Sequence, residues 1–331
     1  MTFAVSNCFF FTAHWNEYNK NLKDTLLDKV SKFALYYLHK IAVKQVLPCT
    51  TKKIEYIENR KESFDIWLQD QNFTSFPIVI TTPDGITIRG TFFKNSMSRL
   101  EDPIVIFSQP NSFISKGNTF RILIEEGLKR YSNCNFLIYD YRGCGESQGD
   151  PLLAKEFILD GEAVYQFVKD QLQVPPMDIH MLGYSFGGSV SAQVKAMHPE
   201  CSGNYVTDRS FSSVPEVAAE RFTNKIISFT ACRLLHFLGW NILNSTEALA
   251  KIKSRVLVIF HPEDLTIKGI SQLYKKVPQW TNFFYMNLAQ RSFRAVSNAL
   301  VHGVALHSFE NEKGEKAHIE ALDFLLKKVI Y

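Results

Sequence analysis

Gly183-Tyr184-Ser185-Phe186-Gly187-Gly188 is the stretch of this sequence best suited to do chemistry. A serine with a glycine two residues away on either side can be held in a strained backbone conformation that lifts its hydroxyl clear of the chain. Side chains at positions 183 and 187 would collide with that turn, and Gly188 lets the following helix pack close to a sheet. The residues before the motif, Asp178 to Leu182, read as a short buried strand. Those after it, Ser189 to Met197, are small or apolar with no proline before Pro199, and read as a helix. The serine therefore sits at a strand-to-helix turn, above a helix N-terminus with free N–H groups and the positive end of a dipole. That setting suits nucleophilic attack on an acyl carbon. A serine hydroxyl is a poor nucleophile at neutral pH, so a histidine base and an orienting carboxylate must come from elsewhere in the chain.

The rest of the sequence supplies a scaffold for such a turn. Strands begin at Phe76. Ile78–Thr81 and Ile86–Phe92 flank Pro83-Asp84-Gly85, a hairpin turn. Pro103–Phe107 and Asn135–Asp140 are continuous apolar runs of the kind buried on both faces, with a helix from Asn118 to Lys129 between them. Gly203–Thr207 is a weaker strand and Arg255–Phe260 a strong one. Asn282–Met286 follows after a further helix, and the last helix runs from His318 to Tyr331. Strands alternating with helices imply an α/β fold with a mostly parallel sheet covered on both faces, and pockets at the carboxyl ends of its strands.

Two parts stand outside that alternation. Residues 1 to about 75 form a helical extension, in which Leu22, Leu26, Leu27, Val30, Phe33, Ala34, Tyr37 and Leu38 recur at helical spacing and a second helix spans about Ile54 to Leu68. Its lysines (Lys20, Lys23, Lys29, Lys32, Lys40, Lys44, Lys52, Lys53) read as a solvated face over the core, with a docking arm for a partner or an anionic membrane as the alternative. Segment 214–250 is rich in large apolar residues, from Ile226 to Leu243, broken by Arg233 and His236. It reads either as a buried core helix or as a small lid whose apolar face meets acyl chains or lipid.

Composition excludes several classes. With 46% hydrophobic and 21% charged residues, the 331-residue chain is an ordinary soluble globular protein, ample for one large α/β domain. A net charge of +4 with no basic run gives no footprint for nucleic acid. Cys8, Cys49, Cys134, Cys144, Cys201 and Cys232 are scattered without CxxC pairs, which points to reduced thiols rather than a metal site or disulfide framework. No basic n-region with a long apolar stretch opens the chain, and no window reaches eighteen uncharged apolar residues. A cytoplasmic location is the expectation.

At this point the chain resembles the α/β-hydrolase superfamily over residues 76–331. Besides the serine turn, Tyr139-Asp140-Tyr141-Arg142-Gly143-Cys144-Gly145-Glu146-Ser147 is similar to the D-x-R-G-x-G-x-S segment these proteins carry after an earlier strand. The resemblance implies that segment is structural, holding the rim of the site. It also implies the chain order serine, acid, histidine, with the acid after a late strand. Asp264 fills that place, in His261-Pro262-Glu263-Asp264; Glu263 is the adjacent alternative and Asp208 a weaker one. For the base, His302 in Val301-His302-Gly303-Val304-Ala305-Leu306 resembles the family's catalytic loop. His307 is the alternative, and His318 is set aside because it opens the last helix. The oxyanion of an acyl-transfer reaction needs two N–H donors. Phe186 would give one. The family's usual His-Gly-x loop is here Ser108-Gln109-Pro110-Asn111-Ser112; Pro110 has no N–H, so the Asn111 backbone is the choice and Gln109 the next.

A serine nucleophile, in place of the aspartate or cysteine of other branches, implies hydrolysis of an acyl ester, thioester or amide through an acyl-enzyme. A small-molecule or lipid-like acyl substrate is expected and no cofactor. The competing expectation is a catalytically degraded α/β-hydrolase fold acting as a binding or interaction protein, which the unusual 108–112 loop favours and the intact serine turn opposes.

Overall fold

A computed structural model describes residues 26–46, 67, 73–111, 120–277, 282–289, 302 and 306–327. The second helix expected over about Ile54 to Leu68 lies outside these residues apart from Trp67. Nine strands form one sheet in the spatial order β1-β2-β4-β3-β5-β6-β7-β8-β9. They are β1 (Thr74–Thr81), β2 (Thr87–Lys94), β3 (Ile104–Ser108), β4 (Asn135–Tyr139), β5 (Ile179–Tyr184), β6 (Tyr205–Asp208), β7 (Val256–Phe260), β8 (Phe283–Ala289) and β9 (Glu310–Asn311). From β3 through β8 neighbouring strands are parallel. The β1–β2 hairpin joins β4 antiparallel at one side, and β9 joins β8 antiparallel at the other.

The helices are α1 (Leu26–Val46), α2 (Arg121–Arg130), α3 (Ala154–Gln166), α4 (Phe186–Met197), α5 (Val214–Arg221), α6 (Lys225–Phe237), α7 (Ser245–Leu249) and α8 (Ala317–Leu326). Strand alternation explains why they lie on both faces. Ile104 and Ile106 of β3 and Met181 of β5 turn toward a core shared with Phe157 and Val164 of α3, Val190 of α4 and Trp240. Val105, Phe107 and Leu182 turn the other way, onto Leu123 and Leu128 of α2 and Leu322 and Leu325 of α8. A strand covered on both faces needs an apolar residue at every position, which is why these runs are unbroken.

Several expectations are adjusted. Between β7 and β8 the described residues form two 3-10 turns, Gly269–Ser271 and Leu273–Lys275, instead of a helix. The α4 helix starts at Phe186, directly after the serine, and α8 spans Ala317–Leu326. The first helix is present; it buries Tyr36, Ala42 and Val43 and leaves Val30 and Ile41 exposed. Lys40 pairs with Asp150, tying α1 to the main body. The buried-core reading of segment 214–250 fails for α6, none of whose residues is buried. Its flanks enter the core instead, with Val214, Leu238, Trp240, Leu243, Ala248 and Leu249 buried.

The Asp140–Ser147 segment is a structural clasp. Arg142 donates from its backbone N–H and Nε to the two oxygens of buried Asp160, each at 2.8 Å, and from Nη1 to Asp84 at 2.7 Å. One guanidinium thereby joins the β1–β2 turn, the strand end of β4 and helix α3. Asp84 is held well below the usual carboxylate range, to about 2, chiefly by Arg142.

Candidate active site

The turn after β5 is built as its residue types require. Ser185 has φ 52° and ψ −113°, a conformation few non-glycine residues adopt. Close approach explains the flanking glycines. A Cβ on Gly187 would stand 2.7 Å from the Gln109 carbonyl oxygen and nearer still to that of Ser108. One on Gly183 would stand 2.5 Å from the Gly188 Cα. The backbone is pinned from outside: the Ser185 N–H donates to the Asp208 carbonyl at 2.8 Å, and the Ser210 hydroxyl donates to the Ser185 carbonyl at 2.7 Å.

Parallel strands bring their carboxyl ends to one edge, and the polar groups converge there. Asp264, four residues beyond β7, is buried. Its Oδ1 accepts the Thr266 and Ile267 amides at 2.9 and 3.0 Å, and its Oδ2 lies 2.6 Å from His302 Nδ1. His302 Nε2 lies 2.8 Å from Ser185 Oγ. Burial alone would raise the Asp264 carboxyl, but His302 and the two amides outweigh it and hold it below its ordinary range. An ionised carboxylate only accepts, so the proton between Asp264 and His302 belongs to Nδ1; the lone pair of Nε2 then faces the Ser185 hydroxyl.

The other candidates for acid and base fall elsewhere, and the two candidate oxyanion donors lie on the turn and on the loop after β3. Glu263 is exposed, and its amide donates to His261 Nδ1 at 3.2 Å. Asp208 is taken: Arg209 Nε and Nη2 donate to its two oxygens, each at 2.8 Å. The His307 ring faces His318, with centroids 6.4 Å apart, and burial lowers its pKa. Asn111 is half-buried at the end of the described part of its loop. Phe186 is the first residue of α4, so its amide belongs to the set with no acceptor inside the helix.

Sequence reasoning assigned no role to three residues around the histidine, Arg209, Tyr184 and Phe309. Arg209, at φ 44°, is fully enclosed, with Cζ 4.6 Å from the Tyr184 ring centroid and 5.0 Å from that of Phe309. The Tyr184 hydroxyl donates to the His302 carbonyl. Arg209 thus props the tyrosine that holds the histidine's backbone. The signal was an Asp-Arg pair directly after a buried strand, where a charge can only be tolerated if paired. Gln109, the next choice for the loop donor, is 1% exposed, and among the described residues neither its side-chain nitrogen nor its oxygen has a hydrogen-bond partner. A cleft of about 630 Å³ lies apart from these groups, lined by Leu153, Lys155, Gln193, Asn241 and Glu247 among others. Among the described residues no cluster of His, Cys, Asp and Glu could hold a metal ion.

This geometry has relatives. Residues 24–278 match the family described as Chlamydia CHLPS protein (DUF818). The chain belongs to that family, within the α/β-hydrolase superfamily. It is 25% identical over 237 residues to the alpha/beta hydrolase domain-containing protein WAV2 of Arabidopsis thaliana, covering 69% of this chain and 71% of that one. It is 28% identical over 156 residues to the human alpha/beta hydrolase domain-containing protein 17C, but spans only 43% of that relative's length. Among solved structures, an α/β hydrolase from Vibrio vulnificus aligns with TM-score 0.55 and 16% identity, over 80% of this chain and 87% of that one. An esterase from Pyrococcus furiosus aligns with TM-score 0.51 and 20% identity, over 66% and 83%. At these identities the structural likeness is one of fold.

Proposed function

We propose that this CHLPS-family protein is a serine hydrolase that cleaves an acyl ester, thioester or amide. The observation that carries the reading is the line Ser185 Oγ–His302 Nε2–Nδ1–Asp264 Oδ2, with links of 2.8 and 2.6 Å. Ser185 Oγ attacks the acyl carbon as His302 Nε2 takes its proton. Asp264 holds the imidazolium. The protonated Nε2 then delivers that proton to the leaving oxygen, sulfur or nitrogen, and water, activated by the same histidine, releases the acyl group. The Phe186 amide at the head of α4 is one donor to the oxyanion. The loop after β3 supplies the second, from the Asn111 backbone or from Gln109, whose buried side-chain amide has no acceptor among the described residues. Segment 214–250 leaves the carboxyl end of β6, beside the serine, and in this reading is a small lid.

Pro110 is the observation that favours the second reading, a fold retained for binding alone, because it removes an N–H from the loop that should stabilise the oxyanion. Hydrolysis of p-nitrophenyl esters of graded acyl length separates the two. A serine hydrolase gives turnover that vanishes in Ser185→Ala and peaks at one acyl length. Wild-type rates equal to those of Ser185→Ala on every ester, thioester and amide tried leave the binding reading standing.

A further inference from the structure

Helix α6 presents a surface that the serine chemistry does not use. Asn224 caps it, its side chain accepting the Ile226 and Ile227 amides at 2.9 and 3.3 Å. It ends at Gly239, whose φ of 76° closes the last turn. One narrow face, Ser228, Ala231, Cys232 and Leu235, is half-buried against the body; the Ser228 hydroxyl donates to the Ala219 carbonyl at 2.7 Å, and Leu235 packs on the core. The rest is open, and five of its exposed side chains are large and apolar. Ile226 is 77% exposed, Phe229 66% and Phe237 74%, with Ile227 and Leu234 beside them. An amphipathic helix normally buries such side chains, so their exposure needs an account.

Charge supplies it. From Arg221 to Thr246 the sequence contains no Asp or Glu, while Arg221, Lys225 and Arg233 lie among the exposed apolar groups. Arg233 stands with Cζ 6.0 Å from the Phe229 ring centroid. Large exposed apolar side chains whose charged neighbours within the stretch are all cations match a surface that is apolar beneath and anionic on top. A protein partner with an apolar groove would not require the whole stretch to lack acids. We propose that α6 seats the protein on an anionic bilayer surface, with Ile226, Phe229 and Phe237 entering the acyl boundary and Lys225 and Arg233 among the headgroups.

Co-sedimentation of the full chain with phosphatidylcholine vesicles, with and without phosphatidylserine, tests this without requiring turnover. Wild type should pellet with the phosphatidylserine vesicles and be released by salt. The exposed-residue variant Phe229→Glu/Phe237→Glu should bind about tenfold more weakly or worse, and Lys225→Glu/Arg233→Glu should lose the preference for phosphatidylserine. Unchanged thermal melting of both variants shows that the helix still folds. Wild type remaining in the supernatant overturns the proposal, as does equal binding by all three proteins. A dimer in analytical ultracentrifugation that Phe229→Glu/Phe237→Glu dissolves, without vesicle binding, overturns it too and makes the face a contact between copies of the chain.

Discussion

A hydroxyl becomes a nucleophile when an acceptor is held on its proton, and each group holding that acceptor here can be perturbed alone. Asp264→Asn keeps the shape of the carboxyl but lets His302 adopt the other tautomer; kcat on a p-nitrophenyl ester should fall by about ten-thousand-fold with little change in melting temperature. Arg209→Met should act on stability instead, because it strands the buried Asp208 carboxylate: about 3–5 kcal/mol in urea unfolding, partly recovered by adding Asp208→Asn. No recovery on adding Asp208→Asn, or no loss in Arg209→Met itself, would contradict the pairing. Gln109→Met separates use from upkeep. An amide buried without partners costs stability, so its removal should leave the protein as stable or more so, while turnover drops if the amide serves the oxyanion. Lower stability with unchanged turnover would assign Gln109 an internal role. Ser185, Asp264 and His302 stood out as candidates because their chemistry fixes residue type, and the chain order implied by the resemblance narrowed the choice, with Glu263 and His307 beside them. The pairing of Arg209 and the orphaned side chain of Gln109 could not be read there, since a paired or orphaned polar group is a property of three-dimensional neighbours.

At the scale of elements, two glycines separate crowding from strain. Gly187→Ala places a methyl group against the backbone of β3's last residue, where nothing can give, and should yield little folded protein. Gly239→Ala meets no atom within 4 Å and costs only its left-handed conformation, about 1 kcal/mol, read as a shift in urea midpoint. Similar losses from the two would mean that the elbow can relax. The strands were readable because burial on both faces leaves an unbroken apolar run. Helix α6 could be read either as core or as lid for the same reason: an apolar run carries no mark of whether protein or another phase covers it. The helix expected between β7 and β8 failed because its short segment is used up in turns that carry Ser271 and Gln272 against the α5 connection, where the Ser212 N–H donates to the Ser271 carbonyl at 2.9 Å.

The molecule as a whole should lose stability in mild acid. His180 in β5 accepts the Asn204 amide on Nδ1 at 2.9 Å, which only a neutral ring can do; burial, helped by Lys195, holds its pKa down to about 3. His318 in α8 is held to about 4 by burial and by His307, Lys316 and Arg130. Above pH 6.5 neither state binds a proton at these rings. Below it the unfolded chain takes up protons that the folded one refuses, so stability falls as pH drops. Between pH 7 and 5 each ring should cost about 2 kcal/mol. Urea unfolding at both pH values checks this, and His180→Asn should shrink the difference; an unchanged difference would contradict the assignment.

Ser185 is the proposed nucleophile on which the functional reading rests. The most direct measurement is labelling of the folded protein with a fluorophosphonate, with the adduct mapped by mass spectrometry and its rate followed in Ser185→Ala, His302→Ala and His307→Ala. The predicted result is a single adduct on Ser185, absent in Ser185→Ala, slowed by orders of magnitude in His302→Ala and unaffected in His307→Ala. No adduct on the folded wild type, or labelling of His302→Ala at the wild-type rate, would contradict the account.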